Sequence, residues 1–454
     1  MRGAVVIRSL IALAALTSSA AAALPDDAAV RALLVDRLAQ NRGVGFAVVL
    51  IDANGSRIIT AGVMREGGPA VAANTVFEIG SVTKTFTGLL LADAIVRGDV
   101  KADDPVEKAL PTAAPGLTLD GRKVTFAQLA SHTSGLPRLP ANWQPANAAD
   151  PYADYDGSFL LASLGVDVLV RPPGTKFEYS NLGAGLLGYA LGVRAGGYES
   201  ALRERILTPL GMADTGLKLS QAQEMRFATG HDPHRMPVPP WHLDALAGAG
   251  GLRSTAFDMA KYLKAAVDPA GSPLGAAVKL AQTPIAEGPV PSLRIAMGWH
   301  VTQRGATTHL WHNGRTGGHA SMIVVDPARR EGVAVLSNAS ISVDDLAVHI
   351  LDATVALIPV PRQRTVSSVD LAVFDRLAGR YELASNFALT IYREGDRFFA
   401  QATRQDKVEI FPESEYEYFS RTVDAQISFV RDGGKVTGIV LHQGGRDVPG
   451  KRVD

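Results

Sequence analysis

The 454-residue sequence balances 45 lysines and arginines against 45 aspartates and glutamates, with 46% hydrophobic and 20% charged residues and no cysteine. That balance lacks the broad positive field that nucleic-acid backbones reward, so no nucleic-acid partner is expected; the missing cysteines exclude disulfides and the usual diacyl lipid anchor. A chain this long exceeds one core of ordinary size, so two or more packed regions are expected.

Arg2 and Arg8 precede the apolar run Leu10 to Leu16 and small residues ending in Ala21-Ala22-Ala23. This reads as a secretory signal peptide over residues 1–23, which makes the expected location periplasmic or secreted, with no stable membrane span after cleavage. Residues 44–52 and 57–62 flank Asn54-Gly55 and read as a hairpin. An apolar helix opening at Gly80-Ser81-Val82-Thr83-Lys84 is expected to stop at Arg97-Gly98-Asp99, where a glycine follows a basic last turn. Residues 103–240 are rich in proline and glycine, with short helices predicted over 183–193 and 199–207. A helix over 256–266 then leads into strands over 297–302, 308–313, 319–325 and 332–337, the last two joined at Asp326-Pro327, and a closing helix over 344–357. Sheet residues from both ends with helices between them predict an α+β unit over 24–358. Past Pro359 the pattern changes to short alternating strands with turns at Glu394-Gly395-Asp396 and Asp432-Gly433-Gly434, which predicts a small all-β domain over 366–454.

Three positions apart on a helix, Ser81 and Lys84 share a face, with about 5–6 Å between Cβ atoms. A serine hydroxyl needs a base to become a nucleophile, and a lysine amine serves only when burial or nearby cations depress its pKa. Val82, Phe86, Leu89 and Leu90 supply apolar surface for such a site. Downstream, Glu178-Tyr179-Ser180-Asn181 places a phenol and an amide between the Pro172 to Gly174 turn and a helix. Farther on, His312-Asn313-Gly314 ends an apolar strand ahead of Gly317-Gly318, where a substrate backbone has room to lie along the strand edge. His231, His234 and His242 near Trp241 lack metal-ligand spacing and read as loop histidines. Gly445 to Lys451 imitates a phosphate loop but lacks both the required Ser/Thr and a following helix, and no Gly-x-Ser-x-Gly elbow is present.

With these three ordered motifs the chain resembles the serine β-lactamase and penicillin-binding protein superfamily, in the branch of class C β-lactamases, D,D-carboxypeptidases, D-aminopeptidases and related esterases. Supporting stretches are 77–80 with 85–88, 129–136 and 207–212. The resemblance implies a β-lactamase/DD-peptidase-like antiparallel sheet flanked by helices with a helical subdomain, and likens the C-terminal domain to a lipocalin-like barrel. It implies that Ser81 attacks a carbonyl, Lys84 and Tyr179 share acid and base duties, and Asn181 orients the substrate. It further implies that backbone N–H groups of Ser81 and Arg315 form the oxyanion hole, beside His312 and Gly314, with no metal or other cofactor. Class C β-lactamases carry Lys-Thr-Gly where this chain has His312, and histidine is a cation only near or below a pKa of about 6.5. Arg315 is then a candidate for the missing charge or a solvated turn residue, and Asn338 a candidate substrate contact or a strand-end cap. The expected activity is an exported serine hydrolase that forms an acyl-enzyme on a small-molecule substrate: a β-lactam, a D-amino-acid peptide or an ester. The alternatives are a carboxylesterase of the same fold and a penicillin-binding receptor that acylates without turnover.

Overall fold

Asn54-Gly55 reverses the chain as its sequence predicts, pairing β1 (Gly45–Asp52) with β2 (Gly55–Gly62) in register from Gly45↔Gly62 to Asp52↔Gly55. The computed structural model describes residues 23–453 apart from 166–167, 306, 360–363, 386, 404, 422, 424 and 444–445, so the expected signal segment lies almost wholly outside the described residues. Five of the remaining six strands of this sheet lie in sequence order in the second half of its domain: β3 (Ala286–Glu287), β4 (Leu293–Ile295), β5 (His300–Arg304), β6 (Thr307–Arg315) and β7 (Ala320–Asp326). The sixth, β8 (Glu331–Ser337), joins this meander to the N-terminal hairpin by pairing antiparallel with β1, so the sheet order is β2-β1-β8-β7-β6-β5-β4-β3.

Both faces of this sheet are covered, which is why β1 alternates so weakly in hydrophobicity. Phe46, Val48 and Leu50 face a core shared with Leu34 of α1 (Asp27–Ala39) and Leu346 of α6 (Asp344–Leu351). Ala47, Val49 and Ile51 face the larger core, with Met259 and Leu263 of α5 (Ala256–Val267) and Phe86 of α2 (Thr83–Arg97). Buried Arg37 and Asp345, 2.6 Å apart, tie α1 to α6. Every residue of α2 from Thr83 to Ala94 is buried, and Gly98 ends the helix with φ 81, donating to Ala94 and Ile95 carbonyls.

Several boundaries differ from their expected positions for local reasons. The helix expected over 183–193 is α3 (Asn181–Gly192), because the Ser180 hydroxyl accepts the Gly183 N–H and starts it earlier. The helix expected over 199–207 is α-helical only over α4 (Tyr198–Leu202) and widens into a π-turn over Arg203–Leu207. The strand expected from 297 starts at His300, after Gly298 takes φ 74. The helix expected over 344–357 stops at Leu351, where Asp352 becomes extended. No helix among the described residues is long and apolar enough to cross a membrane.

The second compact unit begins at Pro359. Eight strands close into a barrel: β9 (Gly379–Ala384), β10 (Phe387–Glu394), β11 (Arg397–Ala402), β12 (Lys407–Pro412), β13 (Glu417–Ser420), β14 (Ala425–Asp432), β15 (Lys435–Gln443) and β16 (Arg446–Arg452). Closure comes from β9 pairing with β16 at Tyr381↔Arg452. A short helix that its two-residue apolar stripe did not announce, α7 (Leu371–Leu377), is capped by Asp370 and sends Phe374 into the barrel core, stacked 4.0 Å from Phe398. Tyr381, Tyr418 and Phe429 complete that filled interior.

Candidate active site

Ser81 sits on a 3-10 turn, Gly80–Val82, between a short strand (Val76–Glu78) and α2, rather than inside the α-helix itself. Gly80 makes this turn possible. Its φ is 47, and a Cβ there would lie 2.6 Å from the Arg315 backbone nitrogen, so the end of β6 packs directly against the serine turn. Ser321 reinforces the contact by donating to the Ile79 carbonyl at 2.7 Å.

One turn on, Lys84 is buried and its Nζ lies 3.0 Å from Ser81 Oγ, 2.9 Å from Asn181 Oδ1 and 2.6 Å from the Ala249 carbonyl. Burial, with a contribution from the Arg138 charge, holds its pKa well below the usual lysine value. A neutral amine has two N–H groups and one lone pair. Three contacts match that inventory: Asn181 Oδ1 and the Ala249 carbonyl accept only, while the Ser81 O–H can donate to the lone pair. Such an arrangement can remove the serine proton.

The loop before α3 brings Tyr179 to the same place. His132, held at φ 59, accepts the Ser180 N–H on Nδ1 at 3.1 Å and the Glu178 N–H on its carbonyl at 2.8 Å. The Ser180 hydroxyl also donates to the Pro137 carbonyl at 2.6 Å, which locks the loop from its other side. Tyr179 faces Ser81, with its ring centroid 4.5 Å from that of His132 and 4.7 Å from Lys84 Nζ. Burial raises its pKa to about 12 despite the nearby Ser81 hydroxyl and the Arg138 charge, so at neutral pH it is an uncharged phenol. Asn181 accepts from Lys84 at 2.9 Å and lines the cleft beside Ser81 together with Tyr152.

His312 is buried beneath Tyr179, with ring centroids 6.2 Å apart, and stacks on His300 at 4.9 Å. Its Nδ1 lies 2.6 Å from the Asn313 carbonyl, so the proton sits on Nδ1 and Nε2 carries the lone pair. Burial, His300 and Lys84 push its pKa well below the histidine range. His312 is therefore neutral at pH 7 and offers no cation there. Gly314 is buried against the Ile79 carbonyl, and exposed Arg315 lines the cleft beside Ser81. Asn338 is elsewhere: it is fully buried and its amide reaches the Val63, Met64 and Thr229 carbonyls at 3.3, 2.9 and 3.1 Å. The substrate-contact reading of Asn338 is thus not supported by its placement.

Ser81, Lys84, Tyr179 and Asn181 converge, with His312 below and Arg315 at the rim. His231 bonds the Asn338 carbonyl and His242 bonds Asp150, and no group of three or more metal-ligating side chains occurs among the described residues. Sequence reasoning passed over His132, His300, Tyr152 and Trp241. His132 lies in Leu129 to Leu136, a stretch noted only as family support, and Trp241 lies in a proline-rich loop without periodicity.

The chain matches the family model described as Beta-lactamase over residues 30–356, and one described as Domain of unknown function (DUF3471) over residues 363–452. It is 33% identical over 217 residues to a beta-lactamase of Escherichia coli K12, covering 44% of this chain and 50% of that protein, so it spans only half of that relative. It is 31% identical to the D-alanyl-D-alanine-carboxypeptidase/endopeptidase AmpH of the same organism over 58% of this chain and 69% of AmpH. A third relative, penicillin-binding protein 4* of Bacillus subtilis 168, is 25% identical over 82% of this chain and 87% of its own length.

Proposed function

The chain belongs to the beta-lactamase family of serine hydrolases, and from that membership we propose that it is an exported enzyme that acylates Ser81 and hydrolyses the acyl-enzyme, of β-lactamase or D-amino-acid peptidase/carboxypeptidase type. The single observation that carries this reading is the contact set of Lys84, a buried amine facing the serine hydroxyl with two fixed acceptors behind it. Ser81 Oγ bonds the substrate carbonyl carbon as its proton passes to the Lys84 amine. The neutral Tyr179 phenol, beside the same hydroxyl, relays a proton to the leaving nitrogen or oxygen as the scissile bond breaks. Water then repeats the sequence, releasing the acid and restoring the Ser81 hydroxyl. Backbone N–H groups of Ser81 and Arg315 are the candidates for holding the carbonyl oxygen, a role supported by the close packing of Gly80 on the Arg315 backbone.

The class C-like substrate preference is less favoured than the fold. With His312 neutral, the charge at that position is missing and a substrate carboxylate is left to the guanidinium of exposed Arg315 or of Arg138, which lies 5.3 Å from the Tyr179 ring centroid; the loss of the third-motif cation favours the second reading, a carboxylesterase of the same fold. Incubation of the purified protein with a fluorescent penicillin, a D-Ala-D-Ala peptide and a chromogenic ester separates the readings. Turnover of any of these that is lost in Ser81→Ala supports the enzyme; stoichiometric stable labelling by the penicillin without turnover would make the chain a receptor instead.

A further inference from the structure

Neutral His312 leaves the third motif without a cation, and two guanidiniums lie near the reacting groups. Arg315 lines the cleft on the side of Ser81 that holds Asn181 and Trp241, and its charge acts on the Asp344 carboxylate of α6. Arg138 has no such counterion. Among the described residues no acceptor bonds its guanidinium, and Glu178, the acid next to Tyr179 in sequence, is paired with Arg171.

The backbone that carries Arg138 is fixed. Its carbonyl accepts the Asn181 N–H at 2.9 Å and the Leu182 N–H at 3.2 Å, and the Pro137 carbonyl accepts the Ser180 hydroxyl at 2.6 Å. The segment that presents Tyr179 and Asn181 therefore also holds Arg138. The side chain is exposed, with its guanidinium carbon 5.3 Å from the Tyr179 ring centroid. A cation over a ring face is attracted by the ring quadrupole, which favours a guanidinium beside the proton donor. Its field reaches Lys84, His132, Tyr152 and Tyr179 alike.

On the proposed function, on which this inference rests, Tyr179 gives its proton to the leaving atom, so the leaving group lies against Tyr179 and next to Arg138. In penicillins and in D-amino-acid peptides alike, a carboxylate sits on the carbon bonded to the leaving nitrogen. An unpaired guanidinium presents a fork of N–H donors that matches a carboxylate, and it stays charged throughout the working pH range. We infer that Arg138 binds the carboxylate of the leaving group and makes the enzyme select substrates that carry one there. The charge missing at His312 is then supplied by the loop after His132, which returns weight to the β-lactamase or peptidase reading over neutral esters.

The test compares S-acetylmercaptoacetate, whose carboxylate is on the carbon bonded to the leaving sulfur, with its uncharged amide, S-acetylmercaptoacetamide. In each, the Ser81 Oγ–C bond forms, the thioester C–S bond breaks and the thiol leaves with the relayed proton. A thiol reagent follows release without background, since the chain has no cysteine. Lys84 serves both substrates, so a change in its protonation cancels in the acid-to-amide ratio of kcat/KM, and intrinsic reactivity cancels between wild type and variant. That ratio is expected to fall about tenfold or more in Arg138→Gln and in Arg138→Leu, mostly through a higher KM for the acid. A change of less than about twofold in both Arg138 variants overturns the inference, as does a fall of about tenfold in Arg315→Ala alone, which would give the carboxylate to Arg315. If neither thioester acetylates Ser81, as read by peptide mass, the proposed nucleophile falls and this inference with it; acetylation of Ser81 by both, with a ratio blind to Arg138, overturns the carboxylate assignment alone.

Discussion

Asn181 Oδ1 accepts a 2.9 Å hydrogen bond from Lys84, joining two side chains 97 residues apart in sequence. The bond aims the amine. With one N–H on Asn181 and another on the Ala249 carbonyl at 2.6 Å, the remaining lone pair of a neutral Lys84 has one direction left, toward Ser81. On the proposed mechanism, Lys84→Met lowers kcat/KM by about 10²–10⁴, Tyr179→Phe by a similar factor, and the double variant does little worse than either, because the two groups handle one proton. Steady-state hydrolysis of a chromogenic ester measures all three.

The pH dependence follows from the same burial. Lys84 must be neutral to act, so kcat/KM rises with pH along a limb that lies below the ordinary lysine range, and it stays level until Tyr179 titrates at about 12. Arg138 contributes to the lowering after burial, so Arg138→Leu moves the acid limb to higher pH. The linkage to folding has a definite sign: a lysine depressed below its unfolded value of 10.5 costs stability at lower pH, and that cost fades as pH rises to 10.5. Thermal unfolding is expected to show Lys84→Met gaining stability over wild type at pH 7, with the gain shrinking toward pH 10.5.

Gly80→Ala tests the turn beneath the nucleophile. A Cβ there meets the Arg315 backbone nitrogen at 2.6 Å and forces a side chain into φ 47. The expected cost is about 1–3 kcal/mol of stability, together with a kcat drop of about tenfold or more as the Arg315 N–H is pushed away from the serine. Denaturant unfolding and ester kinetics on one preparation read both effects.

Asn338→Ala should separate structure from catalysis. Its amide ties three backbone carbonyls in the core, so removal is expected to cost about 1–3 kcal/mol in chemical denaturation. Below the unfolding transition, KM for an ester substrate should be unchanged.

The parts of this site that were readable in the sequence are those governed by local spacing. Ser81 and Lys84 lie one turn apart and Gly98 ends α2, both short-range relationships with residue-type signatures, whereas the Ser180 cap that starts the helix carrying Asn181 two residues early was not read. Trp241 was not readable, because its position depends on Glu78, 163 residues earlier, and on Arg253 from a buried strand. The neutrality of His312 was equally hidden: it comes from His300 stacking and from enclosure by elements that meet only in the folded chain. Helix α1 was missed because only Val30 and Leu34, with Arg37, are buried along it, too thin a stripe to stand out. The helix expected over 344–357 overran because the chain stays apolar after Asp352 has already turned extended.

The central claim is that one hydroxyl, Ser81, becomes covalently acylated, and mass spectrometry of the protein quenched during reaction with p-nitrophenyl acetate tests it most directly. The expected result is a single acetyl adduct mapped to the peptide containing Ser81, absent from Ser81→Ala and slow to form in Lys84→Met. An adduct on another residue, or undiminished ester hydrolysis by Ser81→Ala, would contradict it.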